Sequence, residues 1–238
     1  MSRVVRILRA GRMSYAKSLR LQRLVAASHL GTLILTEHPP VYTIGIRTNV
    51  YPEYEERRLK ALGAEYHRTN RGGLVTFHGP GQLIAYPILD LKNFVPSVRW
   101  YVQSLEEVVI KMCLIYGVKA ERCKDTGVWC GNDKICAIGV HASRYKTSHG
   151  LALNCDSDLS WFSHIVPCGL PGRGVTSLTR QLDHPITVDE VTPTFLKCFA
   201  QVFVCELKEM DKEDVNELLR ASNEEIKTDE KINNKKSE

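Results

Sequence analysis

The sequence predicts an α+β fold, with a mixed and mostly antiparallel sheet and flanking helices. Three observations lead there. Strand-like runs come in hairpins rather than in regular βαβ units. Two long stretches, from about Ser97 to Tyr116 and from Val191 to Glu206, carry apolar residues at helical spacing. A chain of 238 residues, 43% hydrophobic and 25% charged, can bury one sizeable core. That composition excludes collagen-like, coiled-coil and wholly disordered chains. No window approaches the roughly 18 uninterrupted apolar residues of a membrane-spanning helix.

Taken in order, Arg3–Arg9 reads as a short strand. Ser14 caps a helix running to about Ala27, with Tyr15, Leu19, Leu21 and Leu24 near helical spacing. Leu30–Thr36 is a strand, stopped by Glu37-His38-Pro39-Pro40 because two prolines forbid a regular ladder. Val41–Ile46 is extended again, and Tyr54–Gly63 is helical, ending on a glycine suited to the C′ position. Leu74–Phe77 and Leu83–Pro87 flank a glycine-rich turn. The long helix from Ser97 follows. Gly127–Cys130 and Lys134–His141 form a hairpin around Gly131-Asn132-Asp133, and Gly150–Asn154 adds a strand. The last helix carries Phe195, Phe199, Val202 and Phe203 on one face. After about Leu219 the chain turns polar, with Ile226 and Ile232 isolated, so residues 1–219 are expected to form a single domain and residues 220–238 a disordered tail.

Net charge is +5, but unevenly placed. Residues 1–36 hold seven Lys/Arg and no Asp or Glu, whereas residues 206–238 hold seven basic and eleven acidic side chains. The balance suits an acidic macromolecular partner and falls short of the basic stripe of a nucleic-acid binder. The eight cysteines, at 113, 123, 130, 136, 155, 168, 198 and 205, include no Cys-x-x-Cys pair, which weakens zinc and thioredoxin-like readings. At this chain length, and with no apolar signal segment at the N-terminus, most are expected to be reduced and buried as small hydrophobes.

Three segments carry candidate chemistry. In Arg71-Gly72-Gly73-Leu74-Val75-Thr76-Phe77-His78-Gly79-Pro80-Gly81-Gln82, glycines let the backbone turn sharply and approach a ligand. The segment matches neither a Walker loop nor a Rossmann fingerprint. It reads equally as a hairpin rich in turn residues or as a polar ligand-facing loop, and Arg71, Thr76, His78 and Gln82 favour the second. In Ile165-Val166-Pro167-Cys168-Gly169, a cysteine lies in a Pro/Gly loop, whereas Cys113, Cys198 and Cys205 fall within amphipathic helices. A structural thiol remains the commoner reading of such a residue. As a nucleophile it would need a nearby cation or base, since a free thiol of pKa about 8.5 is mostly protonated at neutral pH. Lys134 opens an otherwise apolar strand, and His149 precedes Gly150-Leu151-Ala152; either residue is more often structural than catalytic.

Six motifs occur in order: Glu37 through Gly45, Arg71 through Tyr86, Gly127-Val128-Trp129, Lys134 through Gly139, Ser148 through Asn154, and Pro167-Cys168-Gly169. Together they make the chain, over roughly residues 3–205, closely resemble the octanoyltransferase (lipoate–protein ligase B) family. Phe77 departs mildly from it, standing where the family often has another aromatic, and the polar tail has no counterpart in the family core. The resemblance implies a biotin/lipoate protein ligase-like fold. It implies transfer of an octanoyl group from octanoyl-acyl carrier protein, through a cysteine thioester, to a lipoyl-domain lysine of 2-oxoacid dehydrogenase complexes or of the glycine cleavage H protein. By motif match Cys168 is the nucleophile and Lys134 lowers its pKa. Arg71, Gly72, Gly73, Leu74, Val75, Thr76, Phe77 and His78, with Ala137, Ile138, Gly139, Gly150, Leu151 and Ala152, hold the substrate.

No metal or cofactor is expected. Thioester exchange is near balance and thioester-to-amide transfer is downhill, so no ATP is required. An ATP-dependent lipoate or biotin ligase on the same fold is the nearest rival; a Cys–His hydrolase using Cys168 with His78 or His149, and a non-catalytic binder of acyl carriers, are others. Arg144 and Lys146, close to His149 in sequence, are expected to attract an acidic carrier. The acid-free, arginine-rich start resembles a transit peptide, although Val4 through Val25 also matches the family's own first strand and helix. A mitochondrial matrix enzyme is expected, or a cytoplasmic one from a bacterial source.

Overall fold

Two strands, β2 (Thr32–Glu37) and β6 (Gln82–Ile88), are buried along almost their whole length, so both of their faces must be covered. Their apolar residues alternate between two cores, as the period of two demands. Leu33, Leu35, Leu83 and Ala85 face one side; Ile34, Ile84, Tyr86 and Ile88 face the other. The computed structural model describes residues 3–28, 31–47, 51–166, 169 and 172–234, with side chains to residue 223.

Around this pair the main sheet adds β1 (Arg3–Arg12), β7 (Val128–Cys130), β8 (Asp133–Ser143), β9 (Lys146–Asn154), β10 (Gly174–Val175) and β11 (Cys205–Glu209). Its order is β10-β8-β9-β6-β2-β1-β11, with β7 beside β8. The β2–β6–β9–β8–β7 series is antiparallel, whereas β1 runs parallel to β2 and β11, and β10 parallel to β8. Helices α3 (Val98–Ile115) and α5 (Val188–Phe203) cover one face through Tyr101, Leu105, Val108, Phe195 and Phe199. Helix α1 (Tyr15–Ala27) covers the other through Leu21 and Val25. The expected mixed sheet with flanking helices is therefore present.

A second sheet, of order β4-β3-β5, combines β3 (Val41–Ile44), β4 (Glu65–Arg68) and β5 (Thr76–His78), with α2 (Glu53–Lys60) between β3 and β4. The Glu37–Pro40 corner leads from β2 into β3, and the Gly79–Gly81 turn leads from β5 back into β6. The proline corner expected to stop the strand and the glycine-rich turn are thus both crossings between the two sheets.

Several elements differ from the sequence reading. The β1–α1–β2 start is a parallel βαβ unit. Strand β4 is short and polar, and is held by its parallel pairing with β3 rather than by any alternation of its own. The last phenylalanine-bearing helix stops at Phe203, because Val204 is left-handed (φ +48), and the chain turns into β11. Of the segment 220–238 expected to be a disordered tail, residues 220–234 lie in α6 (Lys212–Asn234), and 235–238 fall outside the described residues. No Gly or Pro interrupts that stretch, and Val215, Leu218 and Leu219 pack on the α1 side of the sheet, with Ser222 fully buried. A short helix, α4 (Leu178–Leu182), capped by Ser177, was not anticipated.

Val204 gives a direct test of backbone strain. A β-branched residue at φ +48 costs about 1–2 kcal/mol relative to an unstrained conformation, and glycine removes that cost less some chain entropy. The Val204 side chain is 71% exposed, so little packing is lost. Val204→Gly is expected to raise the unfolding free energy by up to about 1 kcal/mol in urea titrations; a decrease would show that α5 and β11 do not depend on this strained corner.

Candidate active site

The β8–β9 pairing places small residues opposite one another, Ala137 against Ala152 and Gly139 against Gly150. The lack of side chains is used. A Cβ at Gly150 would overlap the Ala85 carbonyl oxygen, and one at Gly139 would lie 3.0 Å from Arg71 Cδ and 3.1 Å from the Gly72 carbonyl oxygen. The Arg71–Leu74 loop therefore lies directly on the hairpin, tied there by Gly72 N–H donating to Val140 O at 2.9 Å.

Between loop and hairpin is a cavity, partly open to solvent. It is lined by Arg71, Gly73, Leu74, Thr76, His78, Ala137, Ile138, Gly139, Gly150, Leu151 and Ala152, together with Tyr15, Tyr86 and His149. The three segments that the resemblance pointed to, Arg71–His78, Ala137–Gly139 and Gly150–Ala152, thus meet at one place. Gly72 contributes its backbone contacts, but Val75 and Phe77 face elsewhere: their side chains pack with Tyr42, Ile44 and Phe162 in the core of the small sheet. Strand alternation explains this, since Thr76 and His78 take the cavity side and Phe77 the opposite one.

Arg71 is buried and held by backbone oxygens. Its Nη2 donates to Thr43 O (2.7 Å), Thr43 Oγ1 (2.8 Å) and Leu74 O (3.0 Å), and its Nη1 to Gly72 O (2.8 Å). Thr43, having accepted from Arg71, donates its hydroxyl to His78 Nε2 at 3.3 Å; His78 Nδ1–H donates to Gln82 Oε1 at 3.2 Å. Gln82 Nε2 donates to Asn154 Oδ1, and Asn154 Nδ2 to Thr176 O. A second group is built on Tyr15 and His149. His149 Nε2–H donates to Asn70 Oδ1 at 2.8 Å, and Tyr15 O–H reaches His149 Nδ1 at 3.5 Å. His38 donates from Nδ1 to Met13 O and accepts at Nε2 from Tyr86 O–H, both at 2.8 Å. Neither Tyr15, Tyr86, His38 nor Asn70 stood out in the sequence. Tyr15 reads as one more residue on a helix face, and His38 as part of a proline corner.

These groups are kept neutral. Burial, reinforced by the charge on Arg71, lowers His149 to about 4, and burial lowers His38 to about 4. His78 is pushed well below its ordinary value, by burial first and then by His38 and Arg71. Burial raises Tyr15 to about 12, and Arg71 opposes it.

Lys134 lies on β8 ahead of the cavity residues and is itself buried. Its Nζ donates to Thr126 O at 3.1 Å and lies 4.6 Å from the centre of the Trp129 ring. Cys168 falls outside the described residues. Its neighbour Gly169 is described, and lies so close to Leu74 of the cavity that a Cβ there would overlap the leucine side chain. Beyond His149, which lines both, a larger groove of about 1010 Å³ opens, with Arg23, Arg68, Arg144 and Lys146 and no carboxylate among its lining residues.

The depressed histidines make stability pH-dependent with a defined sign. Unfolded, His38 and His149 take up protons near about pH 6.5, and folded only near about 4, so between these values the unfolded state holds more protons. Unfolding free energy is expected to be level above the upper value and to fall by roughly 1.4 kcal/mol per pH unit per histidine below it. Urea titrations at pH 7 and pH 5 check this. His38→Gln should flatten the slope, and an unchanged slope would show that His38 does not contribute.

The lipoyl protein ligase A/B catalytic domain model matches residues 14–200. Among curated proteins, the mitochondrial octanoyl-(acyl-carrier-protein):protein N-octanoyltransferase LIPT2 of Danio rerio is 56% identical over 210 residues, covering 85% of this chain and 94% of its own. The Homo sapiens protein of that name is 49% identical over 220 residues, covering 85% and 95%. Among solved structures, lipoate-protein ligase A bound with ATP superposes with a TM-score of 0.72 at 17% identity, over 93% of this chain and 94% of that one, a likeness of fold. The cavity between glycine loop and hairpin thus lies in a chain that belongs to the lipoyl protein ligase A/B catalytic domain family.

Proposed function

We propose that this chain is an octanoyltransferase, moving an octanoyl group from octanoyl-acyl carrier protein to the lysine of a lipoyl domain by way of a Cys168 thioester. The observation that carries it is the identity of 49–56% to the vertebrate octanoyltransferases over nearly their full length, in a chain whose glycine segments line one cavity. The ATP-dependent ligase reading is not favoured: the ligase shares the fold at 17% identity, whereas the octanoyltransferases share half the sequence. On the mitochondrial names of those relatives, the proposed compartment is the mitochondrial matrix. The proposed acceptors are the lipoyl domains of 2-oxoacid dehydrogenases and the glycine cleavage H protein.

The Cys168 thiolate attacks the donor thioester carbonyl, the carrier's thiolate leaves and takes the proton of Lys134, and the octanoyl chain occupies the cavity beside Ala137, Gly139, Gly150 and Ala152. The lysine amine of the acceptor then attacks the enzyme thioester. Lys134, protonated while it favours the Cys168 thiolate and neutral in the second step, takes the proton that the amine loses. Backbone N–H groups of the glycine-rich loops stabilise the oxyanion of each step.

Measuring the two half-reactions separately tests these assignments. Cys168→Ser is expected to abolish transfer with the fold intact, whereas Cys136→Ser or Cys155→Ser does far less; transfer retained by the Cys168 variant would refute the mechanism. Lys134→Arg keeps a charge but supplies no neutral base, so it should preserve some acylation of Cys168 and lose most transfer to the acceptor. Wild-type rates of both steps in Lys134→Ala would remove Lys134 from the mechanism.

The groove containing Arg23, Arg144 and Lys146 offers the surface for an acidic carrier. The apparent KM for octanoyl-acyl carrier protein is expected to rise several-fold between low and physiological salt, and Arg144→Gln should weaken that dependence. A KM that is flat with salt would exclude electrostatic docking.

A further inference from the structure

Among the described residues, Trp129 is a buried aromatic with two cations over its ring, and the proposed mechanism does not use it. The Lys134 Nζ lies 4.6 Å from its ring centre and the Arg173 guanidinium carbon 4.4 Å. Trp129 is 1% exposed and Lys134 is buried with it, so that contact is largely shielded from water, where a cation–π attraction is strongest.

The ring's placement is over-determined. Its strand, β7, pairs with β8 so that Trp129 stands directly opposite Lys134. Backbone bonds to Glu121 fix it on the other side, at 3.0 and 2.8 Å, and the indole N–H donates to Asp125 O at 2.9 Å. The Asp125 carboxylate lies 3.5 Å from Arg173 Nη2. Gly127, at φ +122, leaves room for the lysine stem, since a Cβ there would lie 3.3 Å from Lys134 Cε.

Arg173 connects this arrangement to the other proposed reactant. It follows the Cys168 segment in sequence and leads into β10, where Val175 pairs with Lys134 and Thr176 N–H donates to Lys134 O at 3.0 Å. Lys134 is therefore held by β7 on one flank and by the chain leaving the cysteine loop on the other, with one indole in contact with cations from both.

We infer that Trp129 is a positioning residue, whose ring holds the Lys134 ammonium in place and, through Arg173, ties it to the chain entering β10. The inference rests on the assignment of Cys168 and Lys134 above. Among the described residues, Arg173 shares the Trp129 ring with Lys134, and the Cys136 thiol feels the charge of Lys134; a change at Trp129 alters the seat of the lysine without adding or removing a charge.

The test compares Trp129→Phe, Trp129→Leu and Arg173→Gln with wild type. The readouts are Cys168 acylation by intact mass, its alkylation by iodoacetamide as a function of pH, and the thermal midpoint. In Trp129→Leu, transfer is expected to fall about tenfold, the scale of one partly desolvated cation–π contact, with the alkylation midpoint displaced upward. Trp129→Phe should recover most of both, and Arg173→Gln should fall between. An alkylation profile in Trp129→Leu that superposes on wild type overturns the inference. So does equal failure of the Phe and Leu variants alongside a lowered thermal midpoint, which would make the residue purely structural. Wild-type protein that forms no adduct at Cys168 would instead overturn the nucleophile assignment, and this inference with it.

Discussion

Two cations, Arg71 and Lys134, are buried, and the site is organised around the need to satisfy them. A buried charge is costly unless it is surrounded by polar partners. Arg71 draws four of its contacts from Thr43, Gly72 and Leu74, and in doing so folds the glycine loop around itself. From Thr43 the bonds run in one direction through His78, Gln82 and Asn154 to the carbonyl of Thr176, whose own N–H meets the Lys134 carbonyl. Loop, both sheets and the lysine-bearing strand thereby share one polar chain. Each member has a fixed donor and acceptor sense, which makes the neutral form of His78 part of the design.

The same economy governs the cavity walls. Its breadth is set by backbone rather than by side chains, because Gly139 and Gly150 let β8, β6 and the Arg71 loop approach within contact distance. Walls made of paired strands deform little, so what the cavity admits is decided by shape. The polar groups lining it are held neutral apart from Arg71, and the rest of the lining presents methyl groups, methylenes and aromatic edges.

Much of this was legible in the sequence. The Ser14 cap, the hairpin around Gly131 and the two glycine segments depend on local chemistry, and the segments' convergence followed from the family resemblance. What escaped depends on distant partners. Strand β4 has no pattern of its own, β11 exists because Val204 turns left, and the first parallel unit is set by α1 packing over the sheet. Val75 and Phe77, expected to hold substrate, point into the small sheet because a strand presents only alternate residues to one side. Tyr15, Tyr86 and His38 come from three separate elements and acquire their meaning only when these meet. The tail's helix was missed because its apolar positions, Val215, Leu218 and Leu219, are few and precede the polar run.

The position of β1 bears on how the chain is made. Among the described residues it is the first strand in the sequence, yet its two neighbours are β2 and β11, and β11 lies some 200 residues later, with Arg3 opposite Cys205. One edge of the first strand therefore stays open until nearly the whole chain has arrived. Unpaired edges invite pairing with other chains, and contacts between sequence extremes are slow to form. Arg3, Arg6, Arg9 and Arg12 lie along this strand, and residues 1–36 hold no acidic side chain. Like charges on two nascent copies repel, protecting the strand during the interval before its own C-terminal partner closes over it.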